Sequence, residues 1–241
     1  MDNSIKLQSQ DQATRLADQI SGLSIPEALT LLTNRFPGQV IFSTSFSIED
    51  QVIAHHILSA GLPVTIFTLD TGRLFAETYG VWSSTNEKYH TKIKAYFPDR
   101  DLLEGYLNSK GPNAFYESVA NRKECCHIRK VEPLKRALWG QSVWITGLRA
   151  EHSPERKDHG TIEWDEVNKV IKYNPLLYWD TKAVREYIDR NDVPYNPLHD
   201  KGFISIGCAP CTRAVRAGED FRAGRWWWED STKKECGLHA Q

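Results

Sequence analysis

Short apolar runs alternate with longer amphipathic stretches through the first 150 residues of the chain. QVIFS (39–43), VTIFTLD (64–70) and SVWITGL (142–148) have strand length and follow glycine or proline closely. Each reads as a buried β-strand. KIKAYF (92–97) predicts a further strand. Between them, IEDQVIAHHILSA (48–60), stopped by Gly61, and FAETYGVWSSTNEKYH (75–90) carry helical patterns. Ser24-Ile25-Pro26-Glu27 has the form of a capping box with proline at the first helical position, so a helix is predicted to about Arg35. Residues 1–22 are polar and predict only a short helix near their end. Helices are expected over 99–109 and over 113–138, the second broken near Asn121 and Pro133. Beyond residue 150, TIEWDEV and NKVIKYNPL predict a hairpin around Asn168, and TKAVREYIDRN (181–191) a helix ended by Pro194. From 196 onward the pattern is that of loops.

Apolar strands alternating with amphipathic helices imply βαβ units: an α/β fold of Rossmann type, a mostly parallel sheet with helices on both faces and right-handed crossovers. Such sheets bind ligands beyond the carboxyl ends of their strands. That directs attention to the loops STSFSIED, LDTGR and GLRAEHS. The length, 241 residues, suits one domain spanning 1–241. Its core is expected over about 25–195, with a C-terminal extension whose last part, about 215–241, is a mobile tail.

Net charge is −1, which removes any global attraction to nucleic acid or an anionic membrane. The longest apolar runs are too short to span a bilayer, and the polar start MDNSIKLQSQDQ carries no signal region. A cytoplasmic location is expected. In that reducing compartment, five cysteines argue for thiol chemistry or metal ligation and against a disulfide framework.

Cys125 and Cys126 are adjacent, and Cys208-Ala-Pro-Cys211 is a CxxC. Buried structural cysteines would explain neither the pairing nor the loop setting of CAPC. Zinc normally takes chelating turns with a few residues between ligands, which adjacent cysteines suit poorly. A four-iron, four-sulfide cube offers each thiolate its own corner, so neighbours need not converge on one point. A redox dithiol at CAPC is the third option. The residues leave all of these open.

Around the first pair runs Arg122-Lys123-Glu124-Cys125-Cys126-His127-Ile128-Arg129-Lys130. In an α-helix Lys130 would share the face of Cys126, four residues before it. Such a run is ordinarily a solvated surface; thiolates nearby favour an anion site. Arg149 in GLRAEHS, and Arg222 and Arg225 around Gly224, are further candidate anion ligands. STSFSIED follows a strand and opens a helix, as phosphate loops do, but lacks the Walker pattern. Trp226-Trp227-Trp228 suit either core packing or a lid. Cys236 sits among Lys233, Lys234 and Glu235 in a polar tail, where cations favour a nucleophilic thiolate over an incidental thiol. His239 is a local base, a cation or plain surface.

Taken together, STSFSIED, LDTGR, RKECCHIRKVEPL, ITGLRAEHS, GCAPCTRAVRAGEDFRAGRWWWED and KKECGLH resemble the assimilatory adenylyl-sulfate (APS) reductases of the PAPS reductase family, over roughly residues 40–240. The resemblance implies an adenine-nucleotide α-hydrolase-like fold. It implies one [4Fe–4S] cluster per chain on Cys125, Cys126, Cys208 and Cys211, and a nucleophile at Cys236. Substrate contacts are then expected at Ser43, Thr44, Ser45, Leu69, Asp70 and Gly147, with Lys130, Arg149, Arg222 and Arg225 on the phosphosulfate. The double cysteine pair favours APS over its 3′-phosphorylated form, and a thioredoxin or glutaredoxin-type donor is expected as partner. No nucleic acid or membrane partner is expected, and a homo-oligomer is left open. The rivals are the same chemistry on the 3′-phosphorylated nucleotide or on both, an ATP-splitting enzyme of this fold, and a non-enzymatic metal or iron–sulfur protein. In place of the glycine loop of the ATP-splitting enzymes stands Ser43-Thr44-Ser45-Phe46-Ser47.

Overall fold

The computed structural model describes residues 3–152, 156 and 158–229. Six strands form a single sheet: β1 (Val40–Ser43), β2 (Thr65–Leu69), β3 (Lys94–Tyr96), β4 (Val143–Ile145), β5 (Ile162–Asp165) and β6 (Val170–Tyr173), in the order β3-β2-β1-β4-β6-β5. All neighbours pair in parallel except β5, which runs antiparallel to β6 as the far arm of a hairpin. The chain first builds outward from β1 to β2 and β3. It then returns to lay β4 on the other side of β1. The switch point therefore falls between β1 and β4, and the crevice that a parallel sheet opens there is the expected ligand site.

Helices cover both faces because the strands are apolar on both. Val40 and Phe42 of β1 enter the larger core cluster. That cluster also holds side chains of α2 (Ile25–Arg35), α3 (Ile48–Ser59) and α8 (Thr181–Arg190). Ile41, pointing the other way, packs with Phe67, Trp144 and Val170 against Leu134, Ala137 and Leu138 of α7 (Glu132–Leu138). The capping box stands as expected: the Ser24 backbone N–H and hydroxyl both donate to Glu27, at 2.8 and 2.6 Å. Remaining helices are α4 (Ala76–Lys88), α5 (Arg100–Lys110) and α6 (Val119–Cys126). Among the described residues no helix is long and apolar enough to cross a membrane.

The structure departs from the sequence reading in two places. The N-terminal helix α1 (Asn3–Ile20) is long. Its average polarity hides one apolar stripe, Ala13, Leu16 and Ile20, which is buried in the main core. The expected helix over 113–138 is instead a 3₁₀ turn at Ala114–Tyr116, then α6, a π turn at His127–Val131, and α7. The break comes at Ser118, whose side chain caps α6 by accepting from the Asn121 N–H. Pro133 does not end the helix, because it lies in the first turn of α7, directly after the π turn.

Candidate active site

One cavity opens at the β1/β4 switch point, about 190 Å³ in volume. It is lined by the strand ends, with Ser43, Leu69 and Trp144, by residues of the loop Ser43–Ser47, and by the cations Lys130, Arg156, Arg222 and Arg225.

The loop after β1 is shaped from within. The Thr44 N–H donates to the Phe67 carbonyl at 2.8 Å, continuing the sheet for one residue. Phe46 then turns into the left-handed region at φ 59°, its N–H donating to the Thr44 hydroxyl. Its ring is buried and stacks on Trp82. Ser45 donates from both its N–H and its hydroxyl to one oxygen of Asp50, each at 2.7 Å. A Cβ on Gly147 would lie 2.0 Å from the other Asp50 oxygen, so only glycine lets the loop after β4 approach this carboxylate. Ser43, Thr44, Ser45 and Gly147 all line the cavity, with Leu69 opposite.

Two of the expected contacts are elsewhere. Asp70 is buried and accepts from the Gly72 N–H and the Tyr79 hydroxyl, both at 2.8 Å, which orders the turn LDTGR. Arg149 is also buried and turns away toward the start of α8. It donates to Glu151 (2.8 Å), the Trp179 carbonyl (3.2 Å) and the Thr181 hydroxyl (3.2 Å). Neither residue lines the cavity.

In place of Arg149 the same segment brings His152 and Arg156 to the wall, beside Glu49 from the first turn of α3. These three were missed: the sequence marks an arginine and an acidic pair, but not the direction each takes. The buried Glu49 carboxyl is pushed up to about 7 by loss of hydration, against the pull of Arg149. His152 lies with Nδ1 3.6 Å from Glu49 and its ring stacked on Phe221. Burial, with Arg149, Arg156 and Arg222 nearby, drives it down to about 2, so it stands neutral.

Arg225 is set by its backing. Its guanidinium lies flat against Gly207, where a Cβ would come within 2.4 Å, and over the Trp226 ring at 5.0 Å. Arg122 also lies over the Trp226 ring, 4.5 Å from its centroid. Trp226 is therefore a packing residue, buried with Trp228 beside it, while Trp227 is partly exposed.

Behind the cations lie the paired cysteines. Cys125, Cys208 and Cys211 are buried in one cluster with Tyr106, Phe115, Ile128 and Trp226, and Cys126 packs against it. All four are free thiols. The LDTGR turn joins this cluster to the cavity: the Thr71 hydroxyl is 3.3 Å from the Cys208 sulfur, and the Thr71 carbonyl accepts from Arg129 at 2.6 Å. Burial and the neighbouring Cys208 push the Cys211 thiol up to about 12, while Lys130 and Arg225 oppose that rise. Burial likewise raises Cys125, against Arg129. Cys125 and Cys211 therefore resist ionising unless a cationic centre enters beside them. Among the described residues no group of three His, Cys, Asp or Glu side chains is placed to hold a single metal ion. The donor set itself, four thiols with Cys125, Cys208 and Cys211 in one cluster and Cys126 packed on it, is of the chemical kind that a multi-iron cluster takes. The π turn also alters the expected geometry, since Lys130 no longer follows Cys126 by one ordinary helical turn. Cys236 and His239 lie outside the described residues.

Comparison with known proteins bears on this arrangement. Residues 39–214 match the family described as phosphoadenosine phosphosulfate reductase domain. The chain belongs to that family. Among curated relatives, the adenosine 5′-phosphosulfate reductase of Burkholderia cepacia is 52% identical over 83% of this chain and 80% of its own length. The protein of that name from Allochromatium vinosum is 51% identical, over 83% and 78%. Among solved structures, the phosphoadenylyl-sulfate (PAPS) reductase of Candida auris, in a phosphate complex, superposes with a TM-score of 0.72 at 30% identity, covering 86% of this chain and 97% of that one. Candida glabrata FMN adenylyltransferase shares the fold alone, with a TM-score of 0.54 at 17% identity, over 87% of this chain and 69% of its own. The PAPS reductase family match begins at Gln39, beside β1, and runs through both cysteine pairs.

Proposed function

We propose that the chain reduces adenosine 5′-phosphosulfate to sulfite and AMP, as the names of its curated relatives suggest, with a thioredoxin or glutaredoxin-type dithiol as donor. The observation that carries this reading is that Lys130, Arg156, Arg222 and Arg225 all line one crevice at the switch point, with Lys130 and Arg225 close enough to Cys211 to act on its thiol. Such a cavity is built for a ligand with a neutral purine-like end and a doubly anionic end.

In the proposed reaction the Cys236 thiolate attacks the sulfur of the phosphosulfate. The S–O bond to the AMP phosphate breaks, and its electron pair leaves with AMP. Cys236 then carries a thiosulfonate. One thiolate of the donor attacks the Cys236 sulfur and sulfite departs with the S–S electron pair. The second donor thiol exchanges into the mixed disulfide, freeing Cys236 and leaving the donor oxidised. Both electrons come from the donor dithiol. Lys130, Arg222 and Arg225 hold the phosphosulfate and offset the charge that grows on the leaving phosphate. Arg156 joins them; Arg149 acts from behind, by fixing the loop that carries His152 and by its charge on Glu49.

Cys125, Cys126, Cys208 and Cys211 would hold a [4Fe–4S] cluster, one per chain. When bound, it supplies a compact charged centre behind the cations and ties the two cysteine segments together. The reaction belongs to sulfate assimilation and cysteine biosynthesis, and a cytoplasmic setting accords with its need for reduced thiols.

Intact-mass analysis after mixing with adenosine 5′-phosphosulfate in the absence of donor tests the central step. The wild-type protein is expected to gain one sulfonate, and Cys236→Ser to gain none while still binding AMP. A sulfonated serine variant overturns the assignment. Iron and acid-labile sulfide, each at about four per chain in anaerobically prepared protein, are expected for the cluster. Competition of the substrate with its 3′-phosphorylated form in a sulfite-release assay decides between the two nucleotides.

A further inference from the structure

We propose that Trp144 and Lys172 are positioning residues that commit the Ser43 hydroxyl to donate its hydrogen to a ring nitrogen of the bound purine. This rests on the nucleotide reading of the crevice and adds to it the residues that orient the base-reading group.

Strand register places the participants in a row on one face of the sheet. Ile41 of β1 stands opposite Trp144 of β4, Trp144 opposite Lys172 of β6, and Lys172 opposite Glu163 of β5. Ser43, two residues beyond Ile41, continues the row to the cavity. Lys172 is 1% exposed, a burial a lysine rarely accepts. Its ammonium lies over the Trp144 ring, 5.6 Å from the centroid, and 3.3 Å from a Glu163 oxygen. His159 Nδ1 holds that same carboxylate at 2.8 Å. The charge is thus secured from the sheet edge and pressed against the indole, where a cation over the ring face fixes the ring plane.

The indole Nε1–H donates to the Ser43 oxygen at 2.8 Å. Tryptophan can only donate, and a hydroxyl has one hydrogen to give. The bond therefore occupies a lone pair of Ser43 and turns its hydrogen away from the indole. Among the described residues that hydrogen meets no acceptor, and Ser43 lines the cavity. Ser43 is thereby a dedicated donor. Of the groups on an adenine, the ring nitrogens N1, N3 and N7 accept, whereas the exocyclic amine offers hydrogens of its own. A committed donor selects the former and repels the latter.

The test is titration calorimetry of 5′-AMP and its 1-deaza, 3-deaza and 7-deaza analogues against four proteins: wild type, Ser43→Ala, Trp144→Phe, and the double variant Lys172→Met with Glu163→Gln. AMP is expected to bind about five- to tenfold more weakly to the first two variants, the loss of one hydrogen bond in a buried site. One deaza analogue is expected to bind wild type with the same deficit, and to show no further loss in any variant. KM for the substrate is expected to rise with kcat kept. If all three analogues bind wild type as AMP does, or if Trp144→Phe weakens all four nucleotides alike as general loosening would, the proposal is overturned. Should Trp144→Phe fail to fold, the Lys172→Met, Glu163→Gln protein carries the same comparison. Failure of AMP to bind the wild type at all instead removes the nucleotide reading, and the proposal with it.

Discussion

Arg122 and Glu229 meet in the interior through two parallel hydrogen bonds, Nε to one carboxylate oxygen at 2.8 Å and a terminal nitrogen to the other at 2.9 Å. Their side chains are only 6% and 5% exposed. Arg122 belongs to α6, which ends in the Cys125–Cys126 pair, and Glu229 closes the described C-terminal segment just beyond Trp226. The pair therefore fastens the segment that leads to Cys236 onto the helix that carries the first two thiols. Glu229→Ala removes this carboxylate from a buried guanidinium and is expected to cost about 3–5 kcal/mol of stability. Denaturant unfolding measures it; a loss under 1 kcal/mol would show the pair to be more solvated than the geometry says.

Arg225 owes its position to a missing side chain. With the guanidinium lying against Gly207, a Cβ there, 2.4 Å from a terminal nitrogen, must displace it. Arg225→Ala is expected to lower kcat/KM by about 10²–10³, the usual cost of one preorganised donor at a developing anion. Gly207→Ala is expected to reproduce much of that loss without touching a charge, and to add little when combined with Arg225→Ala. Steady-state kinetics on both single variants and the double variant give the answer; full additivity would mean that the two residues act independently.

Glu49 makes anion binding depend on pH. Its carboxyl is pushed up to about 7, so below that value it is neutral, and above it a negative charge enters a cavity lined by Lys130, Arg156, Arg222 and Arg225. The facing histidines do not share in this, since His152 is held down to about 2 and His199 to about 4. Asp50, also raised by burial, is tied to Ser45, and Arg149 and Arg156 both pull the Glu49 value down. Affinity for inorganic sulfate, whose charge is constant over this range, is expected to fall as pH rises through about 7, and Glu49→Gln to flatten the profile. Stability follows the same proton. The folded chain keeps it between the ordinary 4.5 and about 7 while the unfolded chain has lost it, so stability falls as pH rises through that window and levels off above it. A sulfate profile that keeps its slope in Glu49→Gln would assign the effect to another group.

Much of this was legible because it rests on short-range pattern. The apolar runs at 39–43, 64–70 and 142–148 are β1, β2 and β4, and the loops after them supply the cavity wall. Thiol pairing was legible in the spacing of Cys125, Cys126, Cys208 and Cys211, which the fold gathers into one cluster. Direction was not legible. Arg149, His152 and Arg156 lie within eight positions of one another, and nothing in their order says that the first turns away to Glu151 and Thr181 while the others line the cavity. The Lys172–Trp144–Ser43 row was hidden for a different reason. It depends on register between strands distant in sequence, and a lysine in a strand reads as a surface residue until its neighbours are known.

The π turn at His127–Val131 has one more consequence. A wide turn of this kind is an α-helix holding one surplus residue. Deleting that residue would regularise the backbone, yet it would also swing everything upstream by about 100°. Cys125 and Cys126 would then face away from Cys208 and Cys211. Local regularity has been given up here in the helix whose Cys125 packs with Cys208 and Cys211, and a one-residue shortening of this stretch would leave a better helix and a scattered quartet.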